Sequence, residues 1–168
     1  MYLLPYREQG NPPTVRPIVN VRLEFEDTGD WTCQALVDTG APSTVFDRGA
    51  ADAIGVRINN VGARTATVRL MGFSRPAQIE TVDFSLPDIP GVTWTADVAF
   101  IKDPEVRMPF QGVLGTEGFL DRFAVTFNRY HNYFVIEAAD DFHERVGQHL
   151  ITDPVAAPDP QWERPAGS

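Results

Sequence analysis

The chain has 168 residues, of which 23 are acidic and 14 basic, for a formal charge of −9 at pH 7. That length suits one ordinary domain with a proper core, and an acidic balance without Lys or Arg clusters argues against a nucleic-acid partner. No apolar run approaches the roughly 18 residues of a membrane span, and a single cysteine, Cys33, leaves neither an intrachain disulfide nor a cysteine-based zinc site.

Residues 1–17 contain Pro5, Pro12, Pro13 and Pro17 with Gly10 and predict an extended N-terminal arm. Met1 to Pro5 is too short and uncharged for a signal peptide, so a soluble protein is expected; its compartment is left open, with the cytoplasm favoured. From Ile18 to Glu26 apolar and polar residues alternate, the pattern of a half-buried strand. Asp27-Thr28-Gly29-Asp30 turns it into a second strand, Trp31 to Val37, in which Cys33 is expected as a buried structural thiol. With charged neighbours Glu26 and Asp30, this Asp-Thr-Gly reads as a solvated hairpin turn.

A second Asp-Thr-Gly follows eleven residues later, in Ala35-Leu36-Val37-Asp38-Thr39-Gly40-Ala41-Pro42-Ser43-Thr44-Val45-Phe46. Here a carboxylate lies between two apolar, β-branched runs. Burying a lone carboxylate is costly unless it is paired or hydrogen-bonded, so such flanks suggest a site that uses the cost. An Asx turn between two strands fits this window equally well.

Beyond it, Asp47 to Ile54 predicts a short helix with Asp47 as N-cap and Gly55 at a left-handed C-cap. Gly62 to Leu70 and Ala77 to Leu86 are alternating runs joined by Met71-Gly72-Phe73-Ser74-Arg75-Pro76, and Val92 to Ile101 is a further strand. A Pro-containing connector, Lys102 to Gln111, leads to Gly112-Val113-Leu114-Gly115. Gly115 to Phe123 predicts a short helix with Phe119, Leu120 and Phe123 on one face. The glycines at 112, 115 and 118 lack the Lys and the spacing of a phosphate-binding loop. Ala124 to Asn128 and Tyr133 to Glu137 form a last hairpin around His131, which has no companion at metal-ligand spacing. An acidic segment, 138–168, predicts a helix around Phe142 to Leu150 and a proline-rich tail. Together these elements predict a mainly-β closed barrel or sandwich with two short helices.

Two stretches make the chain resemble the retropepsin-like aspartic peptidases, the single-lobe relatives of pepsin. Leu36 to Thr44 fits their signature of two apolar residues, Asp-Thr/Ser-Gly-Ala/Ser and a hydroxyl residue three positions on. Val113-Leu114-Gly115, about 75 residues downstream, fits the second element. The resemblance spans about Val19 to Glu137, within a domain of 18–137, and implies the acid-protease lobe. It casts Asp38 as the catalytic carboxylate, Thr39 as a brace between two such loops, Gly40 as a backbone donor and Ala41 as a small cleft floor. It further implies that Gly115 lets the following helix pack close beneath the active loop and that Met71, Gly72 and Phe73 form the tip of a flap. This chain departs from the retroviral pattern at Thr116 and Glu117, which stand where Arg and Asn or Asp are found, and Gly118 looks like an extra residue.

Peptide hydrolysis by this chemistry needs two carboxylates sharing a proton around a bound water, and no cofactor or metal. One chain offers one. The implied assembly is a two-fold homodimer with Asp38 facing its copy, acting on extended polypeptides and favouring mildly acidic pH. The competing expectation is a non-catalytic dimerisation or peptide-binding module on the same fold. A serine esterase or metal hydrolase lacks its Ser elbow or His pair.

Overall fold

The structure, a computed structural model, describes residues 1–70, 72–108 and 110–146. It is mainly β. The strands are β1 (Tyr2–Pro5), β2 (Arg7–Gln9), β3 (Thr14–Arg16), β4 (Ile18–Phe25), β5 (Gly29–Val37), β6 (Val45–Phe46), β7 (Arg64–Leu70), β8 (Phe73–Ser85), β9 (Thr93–Ile101), β10 (Gly112–Leu114), β11 (Phe123–Asn128) and β12 (Tyr133–Ala138). Two short helices, α1 (Arg48–Ala53) and α2 (Ala139–Val146), complete the described residues.

Six strands close a barrel in the order β4-β5-β10-β6-β9-β8. The ring shuts where β8 returns to β4, with Arg22 opposite Ser85 and Glu24 opposite Asp83. Closure removes the sheet edges that an open sheet would leave unpaired. β7 pairs only with β8 and so projects as a hairpin beyond the ring. A separate three-stranded sheet, β1-β12-β11, lies at the termini.

The alternation in the sequence sets what the barrel encloses. Val19, Val21 and Leu23 of β4 are buried while Arg22 and Glu24 are exposed. They join an interior of aromatic rings in which Phe84 stacks on Trp94 at 4.9 Å and Phe46 lies 6.2 Å from Phe100. Each such fully buried ring contributes about 1.5–3 kcal/mol of hydrophobic stabilisation. The Trp94 indole N–H donates to the Gly118 carbonyl at 2.9 Å, satisfying its one polar atom. Ile18, on the polar face of β4, is nonetheless buried, because a second apolar cluster covers that end of the strand from outside the barrel. This cluster holds Val45, Val68, Ile101, Met108, Phe110 and Val113.

Several expectations hold. Asp47 caps α1, its carboxylate accepting from the Ala50 N–H at 3.1 Å, and Gly55 takes φ +83 just past the helix. The hairpins fall where expected, β4–β5 with Gly29 opposite Phe25 and β11–β12 with Asn128 opposite Tyr133. Others are corrected. The N-terminal arm is not simply extended: β1 pairs antiparallel with β12, and β2 and β3 form their own hairpin. The helix expected over Gly115 to Phe123 is a run of turns. Gly118 at φ +91 breaks the right-handed backbone, and the Glu117 carbonyl is drawn away to the Thr44 N–H at 2.9 Å. Residues 116–122 instead close bonds of mixed reach, among them Leu120 N–H to the Gly115 carbonyl and Phe123 N–H to the Phe119 carbonyl, both at 3.0 Å. The expected C-terminal helix begins earlier, at Ala139, anchored by Arg145 on Glu137 at 2.6 Å. Its continuation to Leu150 and the tail lie outside the described residues.

Candidate active site

The local topology that presents Asp38 is a threaded loop. β5 ends at Val37, the chain swings through Asp38 to Ser43, and it returns as β6. β10 then inserts between the two, parallel to β5 with Leu114 opposite Val37 and antiparallel to β6 with Val113 opposite Val45. The two sequence motifs are therefore hydrogen-bonded neighbours. The Asp38 N–H donates to the Leu114 carbonyl at 3.1 Å, and the Thr116 N–H to the Ala41 carbonyl at 2.8 Å. The Glu117 N–H reaches the Pro42 carbonyl at 3.0 Å.

Within the loop, the Asp38 carbonyl accepts from the Ala41 N–H at 3.2 Å and its Oδ1 from the Gly40 N–H at 2.9 Å. This is an Asx turn. The other carboxylate oxygen accepts no bond from the described residues. A Cβ at Gly40 would sit 3.2 Å from Oδ1, so a side chain there would crowd the carboxylate. Thr39 and Gly40 are exposed, Asp38 and Ala41 half-buried, and the Thr39 hydroxyl has no partner among the described residues.

Thr44 joins the motifs from below. Its side chain is fully buried and its Oγ1 accepts from the Gly115 N–H at 3.2 Å. Gly115 is required there for space: a Cβ would lie 2.4 Å from the Ser43 carbonyl oxygen and 2.8 Å from that of Ala41. The helix expected to pack beneath the loop is absent; what lies close at Gly115 is the backbone of Ala41 and Ser43. Gly118, an apparent extra residue in the sequence, offers its carbonyl to Trp94 and sits at φ +91, where a side chain is strained and its Cβ would lie a tight 3.1 Å from Thr44 Oγ1.

Asp38 opens into a cleft of about 520 Å³. Its walls are Leu36, Val45 and Val113 from the threaded strands, Val68 and Leu70 from β7, and Met108 and Phe110 from the connector before β10. Among the described residues Asp38 is the one acidic side chain lining it, and Arg16 and Arg69 are the two basic ones. These walls are the outer faces of the second apolar cluster, so the cleft floor is rigidly backed.

The hairpin β7–β8 overhangs this cleft. Its tip is tighter than the sequence predicted, since Leu70 pairs directly with Phe73 and Gly72 takes φ +83. Met71 lies outside the described residues. Val68 and Leu70 face the cleft, whereas Phe73 is 64% exposed and borders a separate hollow with Arg75 and Asp103. The cleft-facing residues are thus the strand β7 rather than the tip. Sequence reasoning also missed Arg16, Met108 and Phe110. The latter two sit in a segment without periodicity, and only their size and lack of charge in a Pro-containing connector marked them.

Elsewhere, burial pushes the Cys33 thiol up to about 12, with the Asp47 carboxylate adding to the effect. Such a thiol is no nucleophile at neutral pH. Hydrogen bonds from Arg64 and Thr81 hold Asp97 down to about 2. No group of three or more His, Cys, Asp or Glu side chains among the described residues could hold a metal ion. Comparison with protein-family models and with curated proteins found no match.

Proposed function

We propose that the chain is an aspartic-type endopeptidase of the retropepsin-like kind, acting as a two-fold homodimer in which Asp38 and its copy share one proton and hold a water. The observation that carries this reading is the backbone lock between the Asp38 loop and the Val113-Leu114-Gly115 segment at the floor of an apolar cleft. A merely structural Asx turn has no use for a second strand inserted behind it, nor for a groove in front.

In this reading an extended peptide lies in the cleft, its apolar side chains against Val45, Val113 and Phe110. The hairpin β7–β8 covers it and excludes bulk water. One carboxylate takes a proton from the water as its oxygen attacks the carbonyl carbon, while the carboxylic acid of the other protonates the carbonyl oxygen. The C–N bond then breaks as a proton passes to the amide nitrogen. The Gly40 N–H holds one oxygen of Asp38, which orients the carboxylate while leaving its second oxygen for the water. Thr39 and Gly40 at the exposed end of the loop are the groups that would meet a second copy.

The test compares wild type with Asp38→Asn on an unfolded protein substrate over about pH 4 to 7, together with sedimentation across concentration. Cleavage by the wild type alone, with dimer present, supports the reading. Equal inertness of the two, or activity from a strict monomer, overturns it. Peptide binding without turnover would return the chain to the rival reading of a recognition module.

A further inference from the structure

The cleft differs in charge from the molecule that carries it. The whole chain stands at −9. Two exposed arginines border the cleft, and one aspartate lines it. They come from separate elements: Arg16 ends β3 in the N-terminal arm, and Arg69 lies on β7 one residue before Leu70. Neither has a carboxylate within 4 Å among the described residues, a state they share with Arg57, Arg107 and Arg129, whereas Arg64 is held by Asp97 at 2.5 Å and Arg7 by Asp88 at 3.0 Å. The same cleft is lined by the apolar Leu36, Val68, Met108 and Phe110, with Ser43 and Thr67 among its polar residues. A guanidinium beside an apolar wall suits a ligand that carries a carboxylate next to a hydrophobic side chain.

We propose that Arg16 and Arg69 set substrate choice, selecting polypeptide segments in which a Glu or Asp side chain flanks the apolar residue seated in the cleft. The inference rests on the peptidase reading for its assay but not for its binding claim. Against a net charge of −9, the two arginines give an acidic segment a local attraction at this mouth, so charge directs both approach and register. The arm, through β3, thereby contributes to the site instead of serving only as a terminal extension.

The test uses the full chain and fluorescence-quenched peptides with a central pair of apolar residues. A single Glu, or Gln in its place, is walked through the positions on either side. At one position or more the Glu peptide should exceed its Gln twin by about tenfold in kcat/KM, expressed mainly in KM. The preference should fade at high salt, and below about pH 4 as the glutamate protonates. In the double variant Arg16→Gln, Arg69→Gln the ratio should fall to about one, and Lys at both positions should restore part of it. The ratio is read within each variant, so a general loss of activity cancels. A ratio of one at every position in the wild type overturns the proposal while leaving the peptidase reading intact. If no peptide is cut, the peptidase reading fails, and fluorescence anisotropy with labelled Glu and Gln peptides decides the inference alone. Tighter binding of Glu that the double variant loses supports it; equal or undetectable binding of the two overturns it.

Discussion

The chain carries the tripeptide Asp-Thr-Gly twice, and the two copies have opposite fates. At Asp27-Thr28-Gly29 the residues are spent on the fold. The Thr28 hydroxyl lies 2.6 Å from the Phe25 carbonyl and 2.8 Å from that of Ile54, tying the hairpin to the end of α1. Asp27 points outward and exposed. At Asp38-Thr39-Gly40 the backbone is fixed from behind by β10, and the side chains are left uncommitted: Thr39 makes no bond among the described residues, and one Asp38 oxygen accepts none. The lesson is that the tripeptide is not the site. What separates the two is the strand inserted behind the second copy and the apolar groove before it.

The sharpest way to break this contrast is to change both aspartates. Asp38→Asn should lower cleavage of an unfolded protein by about a thousandfold or more, with circular dichroism unchanged, whereas Asp27→Asn should leave both as they are. Next in size is the support behind the second copy. Gly115→Ala would drive a Cβ to 2.4 Å from the Ser43 carbonyl oxygen, and should cost about 3 kcal/mol in urea unfolding, at the upper end of overpacking effects. The two threonines give a finer test. Thr44→Val removes the acceptor of the buried Gly115 N–H and should cost about 1–3 kcal/mol together with activity. Thr28→Val should cost about 1 kcal/mol in stability and nothing in turnover per folded molecule.

The smallest effect concerns acid. Asp97 is held at about 2 by its bonds to Arg64 and Thr81, below the ordinary value of 3.8. A carboxylate with a lowered folded-state pKa stabilises the fold above its unfolded value, and that contribution disappears as pH falls from about 4 through 2. The pair is half exposed to solvent, so the loss is small. Urea midpoints at pH 6 and at pH 2.5 should differ slightly less in Asp97→Asn than in the wild type.

The strands were legible wherever one face is buried and the other wet, as in β4, because period two is written in the residue types. α1 was legible from its two caps. Asp38 and Gly115 stood out because a carboxylate among apolar residues and a glycine between apolar runs are locally odd. Three features were hidden for a common reason: they depend on residues distant in sequence. The pairing of β1 with β12 joins the two ends of the described chain. The missing helix after Gly115 reflects Thr44 capturing the Glu117 carbonyl across more than seventy positions. The cleft walls are assembled from four segments, and Arg16 carries no local sign of where it will stand.

The insertion of β10 between β5 and β6 also orders events in time. Asp38 and Thr44 are synthesised early, but the cradle that orients them awaits a partner around seventy residues later, and closing so long an interval delays pairing. A growing polypeptide on the ribosome, with its exit still upstream of Gly112, would hold the aspartate on an unsupported loop. The loop is braced only after the segment from Gly112 to Gly115 has emerged and paired.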